Sequence, residues 1–118
     1  MSNMSDINKE RVIDPHVAVD HIFKYAAPYA KAKATRIYLE EFRKSKKALL
    51  MSKSIESTIG GQEREAYSHQ EYQDLLKSIE VAVEEEEKYR WELIAAQARI
   101  DVWRTQQANA RMEGRVTL

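Results

Sequence analysis

The chain has 118 residues, of which 43% are hydrophobic and 32% are charged, and its 19 basic and 19 acidic side chains give a formal net charge of zero. The absence of cysteine excludes a disulfide scaffold, a thiolate metal site and a cysteine nucleophile. No apolar run approaches the roughly 18 residues that a membrane-spanning helix needs, and residues 1–6 lack the charged start and apolar block of a signal peptide. We therefore expect a soluble, cytoplasmic protein with no membrane partner.

Helix-forming residues dominate the composition. The chain contains only 3 glycines and 2 prolines, the residues that interrupt helices, and is rich in Ala, Glu, Lys, Arg, Leu and Gln. This predicts an all-α fold: a long antiparallel helical hairpin, coiled-coil-like, with a short N-terminal helix, assembling into a helical bundle. We expect a single helical domain over residues 14–113, with a flexible arm over 1–13 and a C-terminal tail over 114–118.

Two helices are expected before the main turn. Asp14 is a capping residue and Pro15 suits the first helical position, so a first helix is predicted over 15–26. Pro28 cannot donate a backbone hydrogen bond and is expected to end or kink that helix, which leaves a second helix over 29–56. Apolar residues recur at mostly helical spacing in both segments: Val19, Ile22, Phe23 and Ala26 in the first, and Ala30, Ala34, Ile37, Tyr38, Phe42, Leu49, Met51 and Ile55 in the second.

The adjacent glycines Gly60 and Gly61 mark the expected principal turn, with one short helical turn over 62–67 inside the connection. Ser68 and Glu71 then have the spacing of a capping box, in which each side chain accepts a hydrogen bond from a free backbone amide. Nothing interrupts a helix from there to Met112. The last helix is therefore predicted over 69–112, a length on the order of 65 Å.

A heptad pattern runs along this last helix and predicts the side that a neighbouring helix covers. Large residues alternate with alanine, which lets two helices interlock. The polar residues Glu86 and Gln107 interrupt the pattern and are expected to fix register or partner number. The seam consists of Tyr72, Ile79, Glu86, Leu93, Ile100 and Gln107, and of Leu75, Ala82, Tyr89, Ala96, Trp103 and Ala110.

A second apolar stripe lies on another side of the same helix. It contains Trp91, Ile94, Ala95, Ala98 and Val102. Because one neighbouring helix cannot cover both stripes, we predict that this stripe is an oligomer interface, most simply of a two-fold homodimer. Four aromatic residues are expected mainly as helix-packing core: Tyr38, Phe42, Trp91 and Trp103. An exposed tryptophan would instead indicate a binding hot spot.

Charge is segregated along the chain despite the net balance. Residues 24–53 hold nine basic and two acidic side chains, and residues 54–92 hold eleven acidic and four basic ones. One interpretation is a nucleic-acid or partner surface, with Tyr38 or Phe42 stacking on bases. The favoured interpretation is internal pairing across the hairpin, which would bring Arg36 close to Glu86. The candidate basic surface consists of Arg43, Lys44, Lys46 and Lys47, with a smaller cluster at Arg99 and Arg104.

Catalytic chemistry finds little support in the sequence. His16 and His21 are five residues apart, which places them on different helix faces and disfavours a metal site. The run Glu84–Glu87 is similar to the magnesium-binding helices of nucleotide pyrophosphatases, but the segment expected to face it is basic. We expect no catalytic residues, metal, cofactor or small-molecule substrate, and hence no enzyme.

Five short segments carry a family resemblance that spans residues 28–112: YLEEFR at 38–43, QEREAY at 62–67, AVEEEEKYRW at 82–91, AAQARI at 95–100 and VWRT at 102–105. Through them the chain resembles a family of small, largely uncharacterised helical proteins of tailed bacteriophages and prophages. The resemblance implies an accessory protein of phage replication or recombination in the host bacterial cytoplasm, and it brings no established activity.

The favoured hypothesis is a non-enzymatic phage accessory protein that binds a partner protein or nucleic acid during phage DNA replication or recombination. An alternative is an inhibitor of a host enzyme or defence complex, whose acidic helix surface at Glu84, Glu85 and Glu87 imitates the phosphate backbone. A structural or scaffolding component of the virion is a further alternative.

Overall fold

The computed structural model describes residues 12–117, and the side chains of 12–115. This part of the chain contains three helices and no strand: α1 (Pro15–Ser52), α2 (Ile59–Ser68) and α3 (Gln70–Thr117). The predicted all-α helical hairpin is confirmed. The flexible arm predicted over residues 1–13 lies outside the described residues up to residue 11, and residues 12–14 are not helical.

Helix α1 begins at the predicted residue but does not end at Pro28 as predicted. The Asp14 carboxylate accepts a hydrogen bond from the His16 N–H at 2.9 Å, as an N-cap should. The helix then runs through Pro28 without a break, so the prediction of separate helices over 15–26 and 29–56 is wrong. Proline removes one backbone donor, but the long helical stretches on both sides tolerate that loss. The helix ends at Ser52 rather than at residue 56.

The connection between α1 and α2 covers residues 53–58, and the expected turn at Gly60 and Gly61 is wrong. Both glycines lie in the first turn of α2, and no described glycine has a positive φ. The Thr58 hydroxyl caps α2 by accepting the Gly61 N–H at 3.0 Å. An added Cβ at Gly61 would lie 2.9 Å from that hydroxyl oxygen, so a close approach rather than a turn requires glycine here.

Replacing Thr58 with alanine is expected to lower the free energy of unfolding by about 1 kcal/mol, since the first amides of α2 lose their side-chain acceptor. Chemical denaturation measures the change. The neighbouring exposed Ser57, replaced by alanine, is the matched control and should change stability by less than about 0.5 kcal/mol. Equal effects at the two positions would show that the cap contributes nothing.

The predicted capping box at Ser68 is also wrong, because Ser68 closes α2 instead of opening α3. Its hydroxyl donates to the carbonyls of Arg64 and Glu65, at 2.9 and 3.1 Å. The residue that caps α3 is His69, whose Nδ1 accepts the Glu71 N–H at 3.1 Å. Helix α3 then extends to Thr117, through Gly114, so the predicted C-terminal tail is helical over 114–117.

The structure divides the chain into two compact units. We call residues 28–88 the central unit; the described residues before 28 and after 88 form the terminal unit. In the central unit, α1 and α3 run antiparallel, with Arg36 bonded to Glu86 and Lys46 close to Glu71. The core of this unit lies where all three helices meet: Leu50, Ala66 and Tyr72 are buried, with Met51 and Leu76 packed against them.

The heptad pattern predicts the buried face of α3 over most of its length. The residues of this helix that are buried all belong to the predicted seam: Tyr72, Leu75, Ala82, Glu86 and Ala96. The seam residues Ile79, Tyr89, Leu93, Ile100 and Trp103 are half-buried. The pattern fails at Gln107 and Ala110, which are exposed.

The apolar spacing of α1 does not predict its buried face. Ala18, Ala32 and Leu50 are buried, while Phe23 and Tyr38 are 78% and 65% exposed. Apolar residues occur all around this helix, so their number does not distinguish one side from another. In the central unit, the face that packs against α3 is the one that carries Arg36, which is bonded to Glu86.

Candidate interaction surfaces

Arg36 and Glu86 form the main polar contact between α1 and α3 in the central unit. The Arg36 Nε donates to one Glu86 oxygen, and its Nη2 donates to the other at 3.1 Å. A third bond runs from Nη1 to Glu40, one turn further along α1, at 2.9 Å. These carboxylates, Glu86 first, raise the pKa of the Arg36 guanidinium further above its usual range. The favoured interpretation of the charge segregation, which predicts Arg36 close to Glu86, therefore holds at this pair.

Two residues of the predicted basic surface turn inward. Lys46 is mostly buried and lies 3.5 Å from Glu71 of α3. Lys47 lies 3.3 Å from Glu63 of α2, and its ammonium sits 4.8 Å from the centre of the Tyr67 ring. These contacts make Lys46 and Lys47 part of the internal packing, so the prediction that they belong to an outward surface is wrong.

The surroundings of Lys47 raise its pKa above the usual 10.5, through Tyr67 first and Glu63 second. A raised pKa means that the folded state binds the proton more tightly than the unfolded state does. Protonated Lys47 therefore contributes fully to the stability of the fold at neutral pH. This contribution is lost only when the pH rises through the folded-state pKa of Lys47.

The remaining predicted basic residues are exposed. Arg43 and Lys44 lie on the outer side of α1, where Lys44 approaches Glu41 at 3.4 Å. Arg99 and Arg104 are exposed on α3, where Arg104 lies 3.9 Å from Asp101. The exposed part of the candidate nucleic-acid surface therefore consists of two basic side chains in the central unit and two in the terminal unit.

The four consecutive glutamates of α3 have different surroundings. Glu86 is 7% exposed and holds Arg36. Glu84 and Glu85 are exposed, and Glu87 is half-buried. The predicted acidic partner surface is therefore narrower than the run of four suggests, because the helix turns one of its members into the hairpin.

The predicted second stripe of α3, which we call the outer stripe, faces away from the packed seam. Its five residues, Trp91, Ile94, Ala95, Ala98 and Val102, are all exposed. Trp91 is 58% exposed and Val102 is 48% exposed. The Arg90 guanidinium sits 5.0 Å from the centre of the Trp91 ring. The expectation that Tyr38 and Trp91 belong to the core is wrong, whereas Phe42 and Trp103 are half-buried.

Sequence analysis did not predict a cluster that holds α1 and α3 together in the terminal unit. His21 Nε2 lies 2.7 Å from a Glu92 oxygen. The His21 ring packs on Tyr25 at 4.5 Å, and Tyr25 packs on Tyr89 at 5.9 Å between ring centres. The heptad pattern places Tyr89 on the seam, but the register expected from Arg36 and Glu86 does not bring Tyr25 or His21 opposite it.

Neither a metal site nor a membrane span occurs in the part of the chain that the structure describes. No three His, Asp or Glu side chains there are grouped so that they could hold a metal ion. None of the three helices combines the length and the apolar character needed to cross a bilayer. Comparison with protein-family models, with curated proteins and with solved structures gives no match.

Proposed function

We propose that this protein is a non-enzymatic phage accessory protein that acts by binding another macromolecule through the outer stripe of α3, during phage DNA replication or recombination in the host cytoplasm. The exposure of the outer stripe carries the binding part of this proposal. A tryptophan, an isoleucine and a valine together on one helix face are unusual on a surface that meets only water. The resemblance to phage proteins supplies the replication and recombination setting.

Capture of the full chain from phage-infected bacteria tests this function. The wild type is expected to recover a phage replication or recombination protein, or phage DNA, and the double variant Trp91→Ala, Val102→Asp to lose at least roughly 90% of it. The matched control is Phe23→Ala, which removes an exposed aromatic side chain from α1. Equal recovery with all three chains would contradict the proposal, provided that circular dichroism shows equal helix content.

Direct binding to DNA is best tested by changing the two exposed basic residues, Arg43 and Lys44. The two other predicted basic residues of α1 are not suitable. Reversing Lys46 and Lys47 would remove internal ion pairs, so a loss of binding would be confounded by a loss of stability. The informative variant is Arg43→Glu, Lys44→Glu. If Arg43 and Lys44 contact phosphates, binding weakens as salt is added, and the variant binds more weakly and with a shallower salt dependence.

An inhibitor of a host enzyme is the second candidate, and the exposure of Glu84 and Glu85 favours it. Two adjacent carboxylates on the surface of a rigid helix can occupy a basic groove that normally takes phosphates. The same capture experiment separates the two candidates. Recovery of one stoichiometric host enzyme that is lost on Glu84→Lys, Glu85→Lys, and kept on Trp91→Ala, Val102→Asp, would favour the inhibitor.

A further inference from the structure

We infer that the outer stripe of α3 is covered by a second copy of this chain that runs antiparallel, with a two-fold axis next to Ala95. The inference rests on the proposed function and narrows it: the second copy is the macromolecule that covers the stripe, and a captured phage partner binds the resulting dimer. It is argued from the order of side-chain sizes along the stripe and from the charges at its two edges.

Side-chain size along the stripe is arranged for antiparallel packing. The large residue Trp91 stands at one end and Val102 at the other. The small residues Ala95 and Ala98 lie between them, and Ile94 lies at the margin of the stripe. In an antiparallel pair centred next to Ala95, Trp91 of each copy packs against Ala98 and Val102 of the other, so that large residues meet small ones. A parallel pair in register would bring the two Trp91 rings to the same level and leave the alanines facing each other across a gap.

Charges at the edges of the stripe complement each other in the same arrangement. Glu92 and Arg99 lie along one edge, and Arg90 and Asp101 along the other. An antiparallel two-fold sets Glu92 beside Arg99 of the second copy on one edge, and Arg90 beside Asp101 on the other. Because the interface is two-fold, each of these contacts between unlike charges occurs twice.

Three of these charged residues keep accessible surface beside their contacts within one chain: Glu92, Arg99 and Asp101. The Asp101 carboxylate accepts a hydrogen bond from Gln97 at 3.1 Å and lies 3.9 Å from Arg104. Arg99 and Asp101 are exposed, and the Glu92 side chain, although bonded to His21, retains 41% of its surface. Arg90 sits over the face of Trp91, so the guanidinium lies at the border of the apolar stripe. Unlike charges at the border of an apolar interface fix its orientation more than they strengthen it.

Disulfide cross-linking of the full chain tests the orientation, since the natural sequence has no cysteine to interfere. In the proposed dimer the two Ala95 positions are adjacent, so Ala95→Cys is expected to cross-link under mild oxidation. The two Val102 positions lie about 20 Å apart along the helices, so Val102→Cys is not. Cross-linking of both variants would overturn the proposal, because a parallel pair in register is the arrangement that allows both.

Mass in solution tests the occupant. The wild type is expected to sediment as a dimer. Trp91→Ala should raise the dissociation constant of the dimer at least roughly 30-fold, and the control Tyr38→Ala should leave it unchanged. Arg99→Glu and Glu92→Lys should each weaken self-association, while a mixture of the two chains should form a mixed dimer. A wild type that sediments as a single copy would overturn this inference, and loss of the captured partner in the stripe variant would then leave the proposed function standing.

Discussion

Replacing Leu50 with alanine is expected to lower the free energy of unfolding by about 2 to 4 kcal/mol, measured by chemical denaturation. Leu50 is 6% exposed and lies at the centre of the core where α1, α2 and α3 meet. Truncation loses the burial of the side chain and leaves a cavity against Ala66 and Tyr72, which small movements of three helices cannot close.

The neighbouring residue provides a control of identical chemistry. Leu49 is 51% exposed, and its replacement by alanine should change stability by no more than about 0.5 kcal/mol. Similar losses at both positions would mean that α1 does not present Leu50 to the core as described.

Replacing Glu86 with lysine is expected to lower the midpoint of thermal unfolding by on the order of 10 °C, recorded by circular dichroism. Glu86 is the buried charged residue of the seam and accepts two hydrogen bonds from Arg36. A lysine at this position would be buried beside a guanidinium, and Arg36 would retain only Glu40 as a partner.

Two further variants separate the loss of charge from its reversal. Glu86→Gln keeps the shape and one acceptor, so it should be clearly less harmful than Glu86→Lys. Glu85→Lys changes the charge by the same amount one residue away, on an exposed side of α3, and should shift the midpoint by no more than about 2 °C. If both lysine variants unfold at the same temperature, the contact between Arg36 and Glu86 does not stabilise the hairpin.

The buried side of α3 could be predicted because two independent regularities indicate it. The heptad repeat identifies Tyr72, Leu75 and Ala82 as seam positions, and charge segregation places Arg36 against the seam residue Glu86. Both regularities depend on helix geometry, which is the same for every sequence. The outer stripe follows from the same periodicity, since what lies opposite a seam is exposed unless another molecule covers it.

The predictions of turns and helix ends were wrong at single residues, because tertiary contacts decide there between two possible local structures. Gly60 and Gly61 suggest a turn, but Thr58 caps a helix that includes them. Ser68 has the spacing of a cap, yet its hydroxyl bonds backward to Arg64 and Glu65 at the end of α2. Pro28 can end a helix or be carried inside one, and residue type alone does not say which. Apolar spacing did not predict the buried side of α1 because apolar residues occur all around this helix, and only the expected pairing of Arg36 with Glu86 indicated which side packs.

The two tryptophans differ in exposure, so intrinsic fluorescence can report what binds to the outer stripe. Trp91 stands in water at one end of the outer stripe, whereas Trp103 is half-covered on the seam of the same helix. In the single chain, at protein concentrations too low for self-association, iodide should quench the emission of Trp91 far more than that of Trp103, and single replacement by phenylalanine assigns each contribution. Any molecule that settles on the stripe must then shift the Trp91 emission to shorter wavelength, which allows association to be titrated without attaching a dye.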